Sequence, residues 1–247
     1  MKKIFPFILI FVLFTDVLPA QIRIDTVKSM SAPLKLNSNY VSNPMYHYSL
    51  GIKVYGYEQF PRVLRDINST DFISTPLSGI FFKVNDNQIS YRFSANFYNK
   101  DFSFNNECAD CEKVAGKLTD YSLKFGFEKS LSYSTIQPYF GFDFGFRKNR
   151  FKGAGTNAGT IAYTTNYEVL AEKNGGLIAP LLGLKINLGH FTVGAEGSLD
   201  MLFDYERQEK TLQDAARTKT FKKYNNWEYL AKPLGQAFIQ YNFGEVD

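Results

Sequence analysis

Cys108 and Cys111 are the only cysteines of the chain and form a CxxC pair, in the segment Glu107-Cys-Ala-Asp-Cys-Glu112. Redox cysteines need a stabilised thiolate, which cations or a helix N-terminus usually provide. Three carboxylates surround these thiols instead, and two thiolates are too few for a closed zinc site. In an exported protein the pair therefore predicts a disulfide within a loop, and no bound metal is expected.

His47 and His190 are the only histidines, and histidine is the most frequent general base in enzymes. His47 stands at the start of the first predicted strand and His190 in a two-residue turn. Both are thus predicted at one end of the molecule, away from the long loops. A lipid-modifying activity would need a base at the opposite end, so we expect no catalytic residue, no cofactor and no enzymatic activity.

The N-terminus has the pattern of a secretory signal. Lys2 and Lys3 precede the apolar run Ile4–Phe14, and Ala20 offers a cleavage site before Gln21. The run is shorter than the 20 or so residues of a membrane-spanning helix. We therefore predict a signal peptide at 1–20, a periplasmic segment at 21–45 and one domain at 46–247. The net charge of +4 is mild and mixed, so no nucleic-acid partner is expected.

Period-two alternation dominates the sequence from Tyr46 onward, which indicates half-buried strands. In Ile136–Arg147, for example, Phe140, Phe142 and Phe144 alternate with glycine and charged residues. Eight such strands are predicted: Tyr46–Tyr57, Pro76–Val84, Ile89–Asn99, Tyr121–Lys129, Ile136–Arg147, Ile178–Leu188, Phe191–Phe203 and a last strand ending in Ala237–Phe243. Short turns (Asn85–Asn87, Ser130–Thr135, Gly189–His190) alternate with long polar segments (Glu58–Ser74, Lys100–Thr119, Asn149–Gly175, Glu206–Asn226). Short periplasmic turns, long external loops and an even strand number are typical of outer-membrane barrels.

The two faces of these strands predict which side meets lipid. One face carries Phe, Leu and Ile, whereas the other carries glycines and isolated charges that suit the narrow lumen of an eight-stranded barrel. Charges of both signs predict an ion-paired plug rather than an open channel, formed by Lys53, Arg92, Lys124, Glu128, Asp143, Lys185 and Glu196. The alternative is a soluble lipocalin-like ligand-binding barrel with the apolar face inside.

Three segments resemble the outer membrane protein β-barrel domain family, which includes the small OmpA-, OmpX- and OmpW-like barrels. They are Tyr121-Ser-Leu-Lys-Phe-Gly-Phe-Glu128, Gln137-Pro-Tyr-Phe-Gly-Phe-Asp-Phe-Gly-Phe-Arg147 and Ala179-Pro-Leu-Leu-Gly-Leu-Lys185. The resemblance implies an all-β, eight-stranded, up-and-down transmembrane barrel in the cell outer membrane. The closing Tyr241-Asn-Phe243 is similar to the C-terminal signal that the barrel-assembly machinery recognises in this family.

Basic residues of the last long loop, Arg217, Lys219, Lys222 and Lys223, are candidates for contacts with lipopolysaccharide phosphates; a solvated loop or a strand extension above the membrane is the alternative. For the whole chain the sequence favours a non-enzymatic role through external loops, as an adhesin, a surface-binding protein or a structural protein of the envelope. A narrow pore for small solutes is the second hypothesis.

Overall fold

The computed structural model describes residues 46–62, 72–105, 112–157, 166–213 and 215–245. These residues form antiparallel strands. Within the same ranges, no helix is both long and apolar enough to cross a membrane. The nine strands are β1 (Tyr46–Gln59), β2 (Phe72–Ser74), β3 (Gly79–Asp86), β4 (Ile89–Asn105), β5 (Glu112–Ser130), β6 (Ile136–Asn157), β7 (Tyr167–Leu188), β8 (Phe191–Leu212) and β9 (Lys219–Glu245).

The strands follow one another around a closed, up-and-down sheet. β3 to β8 each pair with the next strand in the chain. β1 pairs with β3 on one side and with β9 on the other, and the β1–β9 pairing runs from Tyr46↔Glu245 to Tyr57↔Leu234. β2 also pairs with β1, beyond β3, so β2 and β3 share one place in the ring. The break between them lies at Pro76, which has no amide hydrogen to donate, and at Leu77, whose φ is 45°. The predicted eight strands therefore correspond to eight places occupied by nine strands.

The predicted long loops are wrong in extent. β4 to β9 continue through most of the residues assigned to loops; β8 runs on to Leu212 and β9 begins already at Lys219. Backbone pairing needs no apolar alternation, so the ladder runs on where the side-chain pattern changes. The short turns lie at the opposite end of the ring, which we call the turn end; the other is the extended end. At the turn end Gly189 (φ 66°) and Asn87 (φ 52°) adopt the left-handed conformation that tight hairpins need.

An apolar belt surrounds the ring on its outer face. Leu182, Phe125 and Tyr91 are 70%, 62% and 57% exposed, whereas the interior Glu128 and Asp200 have no exposed area. The faces are thus oriented as predicted, and opposite to those of a soluble lipocalin-like barrel. On β8 the belt covers Phe191 to Phe203.

Towards the extended end the polarity of the two strand faces reverses, so that apolar side chains point inward and polar ones outward. Along β5, Tyr121 and Leu123 face outward, but beyond them Lys117 faces outward while Leu118 and Val114 point into the ring and are buried. Neighbouring strands behave in the same way and build an apolar interior cluster, the outer-end core. Its buried members are Phe60, Tyr98, Val114, Leu118, Phe151, Tyr167, Val169 and Ala171. Strands beyond the belt are therefore organised like those of a water-soluble protein, with polar residues outside and apolar residues inside.

Candidate functional site

Glu128 on β5 is the centre of the first ion cluster inside the ring. Its carboxylate accepts hydrogen bonds from Lys83 Nζ at 2.8 Å and Lys185 Nζ at 3.0 Å, and Arg92 Nη1 lies 3.4 Å away. Arg92 also clasps Glu196 through two bonds of 2.7 and 2.8 Å, which links β4 to β8 on the opposite side of the ring. These side chains are buried, and buried charges persist only when they are paired in this manner.

Asp200 and Glu58 form a second cluster towards the extended end. Asp200 lies 3.0 Å from Lys124 Nζ and 2.9 Å from Lys232 Nζ, and Lys232 continues to Glu58 at 2.5 Å. Lys53 contacts the same Glu58 at 2.6 Å. Lys232 thereby joins β1, β8 and β9 at the seam where the ring closes.

The structure places all seven residues of the predicted lumen network inside the ring, including Asp143, which lies 3.2 Å from Arg92 Nε. The prediction missed other members of the two clusters. Arg147 and Asp200 lie on polar strand faces and could have been found from the alternation. Glu58 and Lys232 lie beside register shifts between β1, β8 and β9, and in β1 the alternation changes phase at the shift. The members missed are Glu58, Lys83, Asp120, Arg147, Asp200 and Lys232.

Apolar side chains also fill the interior near the turn end. Phe81, Tyr139, Leu181 and Phe238 form a buried cluster, and Lys83 Nζ lies 5.0 Å from the Phe81 ring centre. The Tyr139 ring lies so close to Gly183 that a Cβ there would be 2.3 Å from Tyr139 Cζ. Glycine is thus required at this position for the ring to fit.

A third group of charges lies inside the ring at the outer rim of the belt and just beyond it. Lys173 Nζ contacts the Glu228 carboxylate and lies 3.3 Å from Glu206 Oε2 and 3.6 Å from Asp204 Oδ2. One oxygen of each carboxylate lies within 4.8 Å of the others. The pKa of the Asp204 carboxyl group is raised to about 6, mainly by burial. Lys173 opposes this shift, and the Glu228 and Glu206 carboxylates add to it. We call these four residues the acidic group.

A cavity of about 440 Å³ lies against the acidic group, between the end of β1 and the edge of β9. The Arg62 amide donates to Glu228 Oε2 at 3.1 Å, and the Ala231 amide donates to Gln59 Oε1 at 2.9 Å. Two hydrogen bonds from backbone amides to side-chain oxygens thus connect the end of β1 and the chain that follows it to β9. The lining residues are Gln59, Phe60, Arg62, Lys173, Glu206, Asn226, Trp227, Glu228, Tyr229 and Leu230.

The four basic residues predicted to contact lipopolysaccharide lie on the β8–β9 hairpin and are exposed. Arg217 is in the turn, Lys219 pairs with Glu209 at 3.0 Å, and Lys222 and Lys223 are consecutive on β9. The sequence-based prediction missed a second basic surface, because three of its four residues fall in segments predicted as loops. This basic patch consists of Lys117, Lys148, Arg150 and Lys152, which are exposed on the outer face of β5 and β6 just beyond Tyr121 and Phe146.

Residues 1–20, residues 21–45 and the predicted disulfide between Cys108 and Cys111 lie outside the described residues. His47 and His190 lie at the turn end, and His190 Nδ1 is 3.2 Å from the Asn242 carbonyl oxygen.

The fold is therefore a closed antiparallel sheet with charges inside and an apolar belt outside. Among solved structures, a major outer membrane protein from Thermus thermophilus is similar to this chain, with a TM-score of 0.47 and 12% sequence identity over 79% of this chain and 99% of that one. No protein-family model matches the chain, and no curated protein matches it. Membership of the OmpA-, OmpX- and OmpW-like group thus has no support from a family match.

Proposed function

We propose that the chain is a non-enzymatic outer-membrane β-barrel that presents a rigid external platform for binding or structural contacts at the cell surface. The observation that carries this proposal is the apolar belt around a closed sheet whose interior is charged. About eleven residues of strand, tilted by about 40°, cover about 28 Å along the membrane normal, which matches the apolar band of such barrels. The belt on β7, from Ile178 to Leu188, has this length.

The turn end would face the periplasm and the extended end the cell exterior, because outer-membrane barrels keep their short turns inside. The outer-end core supports a binding role: it makes the external strands a packed scaffold rather than solvated loops, and rigid scaffolds position recognition surfaces well. Export by residues 1–20 and insertion by the barrel-assembly machinery through Tyr241 and Phe243 belong to the same proposal.

A heat-modifiability gel of the outer-membrane fraction tests this localisation. Closed barrels that stay folded in detergent migrate faster before boiling than after it. We expect such a shift for the full chain in this fraction. Recovery from the soluble periplasm with no shift in mobility would refute the membrane barrel.

The ion clusters and the Phe81–Tyr139–Leu181–Phe238 cluster favour a closed interior over a solute pore. Planar-bilayer recordings of the purified protein should therefore show no stable conductance steps. Steps that change in size when Arg92, the residue that spans the ring, is replaced by serine would establish the pore hypothesis instead.

The basic patch supports contact with the phosphates of lipopolysaccharide, since it stands just beyond the belt at headgroup height. Replacing Lys148, Arg150 and Lys152 with glutamine should weaken co-purification of lipopolysaccharide, because charge-assisted contacts to phosphate are lost. Replacing Arg217, Lys219 and Lys222 on the distant hairpin is the matched control. Equal loss in both triple variants would mean that net charge, rather than the basic patch, attracts the lipid.

A further inference from the structure

The acidic group carries more negative than positive charge. Three carboxylates face one ammonium, that of Lys173, and Asp204, Glu206 and Lys173 are almost fully buried. Since isolated charge is costly away from water, this excess indicates that a further cation completes the group.

Asp204 provides a second, independent indication. Only 1% of this residue is exposed, and neither carboxylate oxygen accepts a hydrogen bond from any described residue. Its nearest positive charge is Lys173 Nζ, at 3.6 Å from Oδ2. Buried carboxylates are normally hydrogen-bonded, so Asp204 has lone pairs available to a metal ion, and one of its oxygens lies within 4.8 Å of an oxygen of Glu206 and of an oxygen of Glu228.

The spacing of the oxygens allows all three carboxylates to bind one ion. Ca²⁺ binds oxygen ligands at about 2.4 Å, so two ligands on opposite sides of the ion are about 4.8 Å apart. One oxygen each of Asp204, Glu206 and Glu228 lies within this distance of the other two, so all three can contact one Ca²⁺ ion. Ca²⁺ also tolerates an irregular and incomplete set of protein oxygens. Mg²⁺ requires shorter, octahedral coordination and retains its waters more strongly. The adjoining cavity gives the water access that an incomplete ligand set requires.

We propose that Asp204, Glu206 and Glu228 bind a divalent cation, Ca²⁺ in preference to Mg²⁺, which displaces the Lys173 ammonium from among the carboxylates. The ion connects β8 and β9 directly. Through the Arg62 amide bound to Glu228 it also secures the chain that follows β1. Cation binding thereby stabilises the extended end at the seam of the ring.

Terbium luminescence tests the site, because Tb³⁺ replaces Ca²⁺ at oxygen sites and is sensitised by a nearby indole. Trp227 is the only tryptophan and lines the cavity next to Glu228. With the full chain folded in detergent, excitation of Trp227 should give terbium emission that Ca²⁺ suppresses at lower concentration than Mg²⁺. Absence of sensitised emission, or equal competition by the two ions, would overturn the proposal.

Variants assign the emission to these residues. Asp204→Asn and Glu228→Gln should each weaken Tb³⁺ and Ca²⁺ binding by at least about tenfold, the order of loss seen when even outer partners of a metal site are removed. Glu168→Gln, on the exposed face of β7, should leave affinity unchanged. Lys173→Met should tighten cation binding, because it removes the competing ammonium. Because misfolding would weaken binding rather than strengthen it, this gain of affinity distinguishes a cation site from a folding defect. Unchanged affinity in Asp204→Asn with normal gel mobility, or weaker binding in Lys173→Met, would show that the acidic group is only an internal ion pair.

Discussion

The Glu128 carboxylate balances three buried cations. Replacing it with glutamine should therefore lower the free energy of unfolding more than the loss of any one of these cations. Its side chain has no exposed area and accepts bonds from Lys83 and Lys185 beside Arg92. Glu128→Gln keeps the shape but leaves two ammonium groups without their carboxylate. Removing one partner of a buried ion pair costs about 3–5 kcal/mol. With a urea dependence of about 1–3 kcal/mol per molar, the unfolding midpoint should fall by at least about 1 M.

Urea titration in lipid vesicles measures this change, with Trp227 fluorescence and gel mobility as two independent signals. Lys83→Met should cost less, because Glu128 retains Lys185 and Arg92. Glu168→Gln, an exposed carboxylate changed in the same way, is the matched control and should not shift the midpoint. A loss below about 1 kcal/mol for Glu128→Gln, the usual value of a solvated pair, would refute the reasoning and indicate a water-filled lumen.

Two further substitutions test the packing. Gly183→Val should displace the Tyr139 ring and cost about 1–3 kcal/mol by overpacking in the same titration, whereas Gly176→Val, where a Cβ would meet nothing within 4 Å, should be tolerated; equal effects would contradict the close fit. Leu118→Ala should cost about 2–5 kcal/mol because Leu118 is buried in the outer-end core, whereas Leu123→Ala on the exposed apolar belt should cost less in vesicles. The reverse order of the two costs would mean that the apolar face does not change from outward to inward beyond the belt.

Much of the belt follows from the sequence, because a strand places alternate residues on opposite faces whatever its neighbours are. The phenylalanines of β6 and the charges Lys124, Glu128 and Lys185 could therefore be assigned to faces before any pairing was known. The short turns were also readable, since glycine and asparagine mark positions that need a positive φ.

The external strands could not be read in the same way. Beyond the belt the polar face of each strand is the outer one. The sequence-based prediction kept the apolar face outside along the whole strand, so it assigned Lys117 and Leu118 to a loop. Only the ladder of β5 with β6 identifies these residues as strand, because backbone hydrogen bonds do not depend on side-chain type.

The sequence by itself determined the period, the outward-facing apolar residues and the presence of charges of both signs inside the ring. The tertiary structure decided which charges meet: Arg92 reaches Glu196 across the ring, and Lys173 on β7 meets Asp204 and Glu206 on β8 and Glu228 on β9. These contacts depend on register and ring closure, which arise from many weak pairings together. The spacing of residues along a single strand does not determine these contacts.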